Sequence, residues 1–210
     1  MLLQYLNTHF ITTDKLLAVT GVERDLLTSL QAEKRMPLAS YQIQQSIQCQ
    51  SFFGEHAVSE SIDFYSQGYA FWLGLAVQPS FDVKQYFFDE YQAELQRLAQ
   101  QLIPMSDIQF VTDLSTHLER EWTHFLDGIY GLCTVSGLPK DIARKEYTIH
   151  LIKSVTQEGE ASSLAPHERD LLQSGVDLLD QSSAQFAPHE VARSSRQKFI
   201  LDMKTKYQLR

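Results

Sequence analysis

Apolar residues recur at helical spacing along most of this chain, and one tract near the N-terminus breaks that rhythm with strict alternation. Thr12-Thr13-Asp14 offers an N-cap, Leu16, Leu17 and Ala18 form an apolar patch, and Gly21-Val22 supplies a turn. Leu26, Leu27 and Leu30 continue the face until Pro37, so residues 12–37 predict two short helices in a helix-turn-helix, with residues 1–7 a first helix packed on the pair. From residue 41 to 53 the period changes to two. Tyr41, Ile43, Ile47, Cys49 and Phe53 fall on odd positions, while Gln42, Gln44, Gln48 and Gln50 fall on even ones. This predicts a β-hairpin or one long strand, in the order expected of a winged helix-turn-helix.

After Gly54 the pattern predicts a return to helix, aromatic-rich over residues 58–77 and ended by Pro79. A second helix runs from the N-cap Asp82 through Val83, Phe87, Tyr91, Leu95, Leu98 and Leu102 to Pro104. A third is expected from Ser106-Asp107 to about Cys133, with Val111, Leu114, Leu118, Trp122, Phe125 and Ile129 on its apolar face. Gly137-Leu138-Pro139 separates it from a fourth, apolar on more than one side through Ile142, Ala143, Tyr147, Ile149, Leu151 and Val155, and therefore central. Residues 157–163 read as a loop. Two more helices are expected to open with the same tetrapeptide, Ala165-Pro166-His167-Glu168 and Ala187-Pro188-His189-Glu190. Proline at the first helical position and glutamate at the positive helix N-terminus account for that repeat better than a paired His/Glu site does.

The chain of 210 residues carries a net charge of -8, unevenly spread. Residues 191–210 hold Arg193, Arg196, Lys198, Lys204, Lys206 and Arg210 against Asp202, so the rest of the chain is strongly acidic. Such a body is repelled by a phosphate backbone. The basic tail, with Phe199, Met203 and Tyr207 on one stripe, suits docking on an acidic surface, most simply the protein's own body. The two cysteines, Cys49 and Cys133, suggest neither a disulfide framework nor a metal site and read as small core residues. No signal peptide or membrane span is indicated, so the expected compartment is cytoplasmic. No cofactor motif is present.

Two groups of residues carry candidate chemistry. Asp113, His117, Glu121 and His124 recur at spacings of four, four and three on one helix, a set that could ligate a metal or form a solvated face. On the second helix of the N-terminal pair, Arg24, Lys34 and Arg35 could meet phosphates, and Thr28 or Ser29 could face bases. Glu23, Asp25 and Glu33 balance those cations. The aromatics Tyr86, Phe87, Phe88 and Tyr91, on several sides of one helix, suggest self-association as a homodimer.

Thr12-Thr13-x-x-Leu16-Leu17-x-x-Thr20-Gly21-Val22, with Leu27, Leu30 and Met36-Pro37, resembles the N-terminal helix-turn-helix of MerR-type regulators over about the first 55 residues. Leu17 stands where that family usually has alanine, and its arginine-tyrosine pair is absent, with Thr28-Ser29 in that region. Beyond this unit, Ser51-Phe52-Phe53-Gly54-Glu55, residues 122–133 and Ser194-Ser195-Arg196 resemble an uncharacterised bacterial family of unknown function, which carries over no catalytic residue.

The expected fold is mainly α: a MerR-like helix-turn-helix with a small β hairpin as wing over residues 1–55, then a five- to six-helix bundle over residues 56–210. The first functional reading is a non-enzymatic regulatory or interaction protein that contacts a protein partner or itself. A DNA-binding regulator and a metal-dependent enzyme built on the His/Glu face are the alternatives.

Overall fold

The structure, a computed structural model, describes residues 2–105 and 113–210. It is mainly helical, with a three-stranded antiparallel sheet. Helix α1 (Leu2–His9) leads into the short strand β1 (Phe10–Thr12) and then α2 (Thr13–Thr20). Thr12 caps α2 by accepting from the Lys15 N–H. Gly21 ends it in the left-handed conformation, φ 69°, donating its N–H to Leu17 O at 2.8 Å. Three residues later α3 (Arg24–Ala32) begins, burying Leu27 and Leu30 beside Leu16 of α2.

Strands β2 (Tyr41–Ser51) and β3 (Gly54–Ser66) form one long hairpin, and β3 lies between β1 and β2. The helix expected from residue 58 is therefore strand up to Ser66. The cause is cross-strand pairing: Tyr41 faces Phe64, Ile43 faces Ile62 and Ile47 faces Val58, so β3 takes its period from β2. The aromatics Phe64 and Tyr65 that suggested helix are instead buried at the base of the hairpin. Only α4 (Tyr69–Ala76) remains helical in that stretch, with Tyr69, Trp72, Leu73 and Ala76 buried.

The body is formed by α5 (Val83–Gln101), α6 (Leu114–Leu126), α7 (Ile129–Cys133), α8 (Pro139–Val155) and α9 (Pro166–Ser182). Trp72 sits in an aromatic cluster, 4.6 Å from the Phe125 ring, with Phe87 5.0 Å from Phe125 and 5.4 Å from Trp122. One core runs continuously from Leu16, Leu27, Leu30 and Met36 through this cluster to Tyr147 and Leu151. The N-terminal helices thus share the core of the body. Helix α8 lies between α5 and α9, matching its apolar residues on several sides. Phe87 and Tyr91 are fully buried and Tyr86 and Phe88 pack against the core, which removes the α5 aromatics as a basis for self-association.

Two further helical expectations change, and a third, the start predicted at Ser106-Asp107 with Val111, lies outside the described residues. The helix predicted to run to Cys133 is broken at Asp127-Gly128, where Gly128 adopts φ 77°. The second Ala-Pro-His-Glu opens a turn and the 3₁₀ segment Val191–Arg193, not a long helix. Both copies use glutamate alike: Glu168 accepts from the Ala165 N–H at 2.8 Å and Glu190 from the Ala187 N–H at 3.1 Å.

The basic C-terminal segment, π-helical at Gln197–Leu201 and continued by α10 (Asp202–Tyr207), packs on α9. Phe199, Met203 and Tyr207 join Leu172, Val176 and Leu179 in a second apolar cluster, and Arg196 and Lys204 both pair with Asp180. The tail therefore docks on its own body, as its charge suggested.

Gly128 also lies where the chain leading into β2 crosses the α6–α7 junction. A Cβ there would sit 2.7 Å from both Leu38 O and Ala39 O, on a backbone that L-residues rarely adopt. Gly128→Ala is expected to destabilise the fold by about 1–3 kcal/mol, read as a lowered urea midpoint at unchanged slope.

Candidate functional site

The outer face of α3 is open to solvent at Arg24, Asp25, Thr28 and Ser29, and Leu26 is 44% exposed. Its polar groups are largely satisfied within the chain. Arg24 Nη2 bonds Asp14 at 2.5 Å, and the hydroxyls of Thr28 and Ser29 donate to Arg24 O and Asp25 O of their own helix. Arg35 turns inward: its guanidinium donates to Ala76 O at 3.0 Å, Gln78 O at 2.8 Å and Phe81 O at 3.3 Å. In return the Trp72 indole N–H donates to Arg35 O at 2.9 Å. Of the five residues grouped as a contact set, Arg35 is therefore a structural link, while Arg24, Thr28, Ser29 and Lys34 remain on the surface.

The hairpin is the largest feature that serves no packing. Every residue from 46 to 61 is exposed, so the arm extends roughly 20 Å at about 3.4 Å per residue beyond Gln45, the last half-buried residue of β2. At its tip Phe52 and Phe53 are 97% and 96% exposed and touch only each other, ring against edge at 5.4 Å. Strand β2 is an edge strand of the sheet, and its sequence from Tyr41 to Ser51 contains no charge, proline or glycine. These are the residues that usually protect an edge from pairing. Cys49, expected in the core, is exposed on this arm opposite His56. The Ser51-Phe52-Phe53-Gly54 step between two alternating tracts was the available sequence signal for the tip.

The face of α6 that carries the metal candidates is organised differently from either expectation. Asp113 is not on the helical face. It is the N-cap, accepting from the backbone N–H of Ser115 and Thr116, and the hydroxyls of the same two residues hold its pKa down at about 2. His117 and Glu121 are buried, at 3% and 2% exposure, and His124 is half-buried. Arg120 Nη2 donates to His117 Nδ1 at 2.8 Å, which fixes the neutral ring with its proton on Nε2, directed at the Tyr91 hydroxyl 2.8 Å away. Burial, then the Arg120 and His150 charges, lowers the His117 pKa to about 4.

Glu121 Oε1 accepts from Arg120 Nε at 3.0 Å and lies 3.7 Å from His117 Nδ1. Its Oε2 is buried without a hydrogen-bond partner, 4.0 Å from His124 Nδ1. Burial first, then the neighbouring Glu146 carboxylate, raises the Glu121 pKa to about 7. Among the described residues no group of three or more His, Cys, Asp or Glu side chains is placed to hold a metal ion. The arrangement is an acid–base cluster contributed by α5, α6 and α8. Tyr91 and Glu146, on other helices, were invisible to a reading of α6 alone.

A mainly helical body, a small antiparallel sheet and a projecting arm define the class of architecture. A family model described as a family of unknown function, DUF6058, matches residues 83–208, more than half of the chain. The chain belongs to the DUF6058 family. The matched span runs from α5 to the C-terminal segment and contains the α6 cluster, while α3 and the arm precede it. No curated protein and no solved structure matches the chain. Among the described residues no helix is long and apolar enough to cross a membrane.

The two displaced pKa values oppose each other in stability. Between its ordinary 4.5 and about 7, Glu121 holds a proton in the folded chain that the unfolded chain releases, so its contribution falls as pH rises. Between about 4 and 6.5, the unfolded chain binds a proton at His117 that the folded chain rejects, so stability rises with pH. Arg120, Lys145, Glu146 and His124 face the pair and remain in place when Glu121 is replaced by glutamine. The stability of Glu121→Gln relative to wild type is expected to rise by about 1.4 kcal/mol per pH unit across this window, measured by urea unfolding at several pH values. A difference independent of pH would show that Glu121 titrates normally.

Proposed function

We propose that the chain is a non-enzymatic, regulatory partner-binding protein. Its α2–α3 pair is a MerR-like helix-turn-helix turned to packing and protein contact, and the β2–β3 arm is its enlarged wing. The observation that carries this reading is the arm itself, with Phe52 and Phe53 almost wholly exposed at the end of an unprotected edge strand. Two adjacent exposed aromatics lose free energy in water and gain it in an apolar groove. The uncharged β2 edge suits strand addition by a protein.

The same geometry weighs against duplex recognition. Arg35 is bound to three carbonyls and Arg24 to Asp14, so among the described residues Lys34 is left as the cation of the contact set that no ion pair engages. Binding through phosphates requires several such cations. Because β3 carries the chain across residue 55, the unit proposed for contact comprises residues 1–66.

A photo-crosslinking amino acid at position 52 tests the reading in cells. The expected outcome is a discrete covalent adduct with a protein, lost when Phe53 is replaced by serine. Replacing both phenylalanines by serine is expected to leave unfolding free energy within about 0.5 kcal/mol of wild type, because neither side chain packs on the fold. Sequence-selective capture of duplex DNA at cellular ionic strength, with a salt dependence reduced by Lys34→Glu, would instead establish the DNA-binding regulator.

A further inference from the structure

Where α7 ends against α8, two nucleophilic side chains meet in the interior. Cys133 is the last residue of α7, and Lys145 projects toward it from the second turn of α8. Lys145 Nζ lies 3.3 Å from Cys133 Sγ, and each residue is only 7% exposed. The ammonium sits 5.9 Å from the centre of the Tyr130 ring, with Glu146 Oε1 at 3.9 Å.

Burial opposes charge on both groups. Desolvation raises the thiol pKa and works to lower that of the lysine, yet Cys133, Glu146 and Glu121 together keep the lysine above its ordinary value. The pair is therefore a neutral thiol beside an ammonium in a buried, partly acidic setting. A lysine is an expensive choice for filling space next to a buried cysteine, and nothing in the partner-contact reading uses it. The only other cysteine, Cys49, is on the exposed arm, so Cys133 has no disulfide partner within the fold.

The geometry points to a redox cross-linking site, in which dioxygen joins Cys133 Sγ and Lys145 Nζ through a single oxygen atom as an S–O–N bridge. The thiol, the amine and one O2 give the bridge and one water. The S–H bond, one N–H bond and the O–O bond break, while Sγ–O and O–Nζ bonds form. Sulfur and nitrogen each give up two electrons, and the second oxygen atom leaves as water with the two released protons. When the lysine enters as ammonium beside a neutral thiol, its additional proton passes to the Glu146 carboxylate. Because the heteroatoms already touch, one inserted oxygen bridges them without a change of helix position. The bridge ties α7 to α8 and removes the cation that faces Glu121.

The test uses the full chain carrying Cys49→Ser, which removes the exposed thiol. One sample is kept under reductant and one is exposed to air. The expected result is an intact-mass gain of about 14 Da in the aerated sample, reversed by dithiothreitol, with peptide mapping joining the segments that contain Cys133 and Lys145. Lys145→Arg keeps a cation and is expected to abolish the gain. An unchanged mass, or a gain of about 16 or 32 Da confined to Cys133 with Lys145 unmodified, would overturn the proposal. Mapping of the Cys49→Ser chain decides the question even where the Lys145 variant does not fold.

Discussion

The exchange between Arg35 and α4 holds the two parts of the molecule together. The Arg35 guanidinium gathers the carbonyls of Ala76, Gln78 and Phe81, where α4 ends and the chain turns toward α5, and the Trp72 indole N–H returns a bond to Arg35 O. Helix C-termini leave carbonyls without partners, and a buried one is costly. Arg35 satisfies them from the segment that follows α3, so the N-terminal helices cannot tilt away from the body without exposing those groups. The indole places Trp72 at the centre of the aromatic cluster with Phe87, Trp122 and Phe125. The same residue that would have been a phosphate ligand is thereby committed to the fold.

A second constraint binds α5 and α8. Glu94 is 4% exposed, and burial alone would raise its pKa, but bonds from Arg97 at 2.6 Å and 2.9 Å and from Arg144 at 2.6 Å more than offset this and leave it lowered. Glu121, on α6, has one arginine bond and a carboxylate neighbour, and its pKa moves the other way. Two buried glutamates in one helical body thus have pKa values displaced in opposite directions from the ordinary carboxylate value. The difference comes from how many guanidinium N–H groups reach each one.

Periodicity and capping made much of this fold legible. Thr12, Gly21, Asp82 and Pro139 mark helix ends as their chemistry requires, and the many-sided apolar pattern of α8 matched its central position. The error over β3 arose because Val58, Ile62 and Phe64 satisfy a strand period only when β2 is beside them. Gly128 and Gly131, three apart in the sequence, signal close packing or an early helix end, and the helix breaks at Gly128, but that Leu38 and Ala39 are its neighbours is a tertiary fact. For the α6 candidates, spacing placed His117, Glu121 and His124 correctly on one face. It could not reveal that Tyr91 and the α8 side chains enclose that face, nor that Asp113 turns back to cap the helix.

Charge and shape separate the two kinds of recognition this architecture could support. The docked tail commits Arg196 and Lys204 to Asp180 and Lys206 to Gly159 O, all within the body. The arm carries Glu55, Glu60 and Asp63 on β3 and no charge on β2, so its acidic side and its pairing edge are different strands. A nucleic acid approaching the arm meets carboxylates and uncharged glutamines, neither of which displaces counterions from phosphate. An extended protein segment approaching β2 would meet, among the described residues, an unpaired backbone row, uncharged side chains and, at the tip, two phenylalanine rings with nothing else to cover them. On the proposed reading, main-chain hydrogen bonds would supply alignment, and burial of Phe52 and Phe53 would supply the affinity that backbone pairing in water lacks.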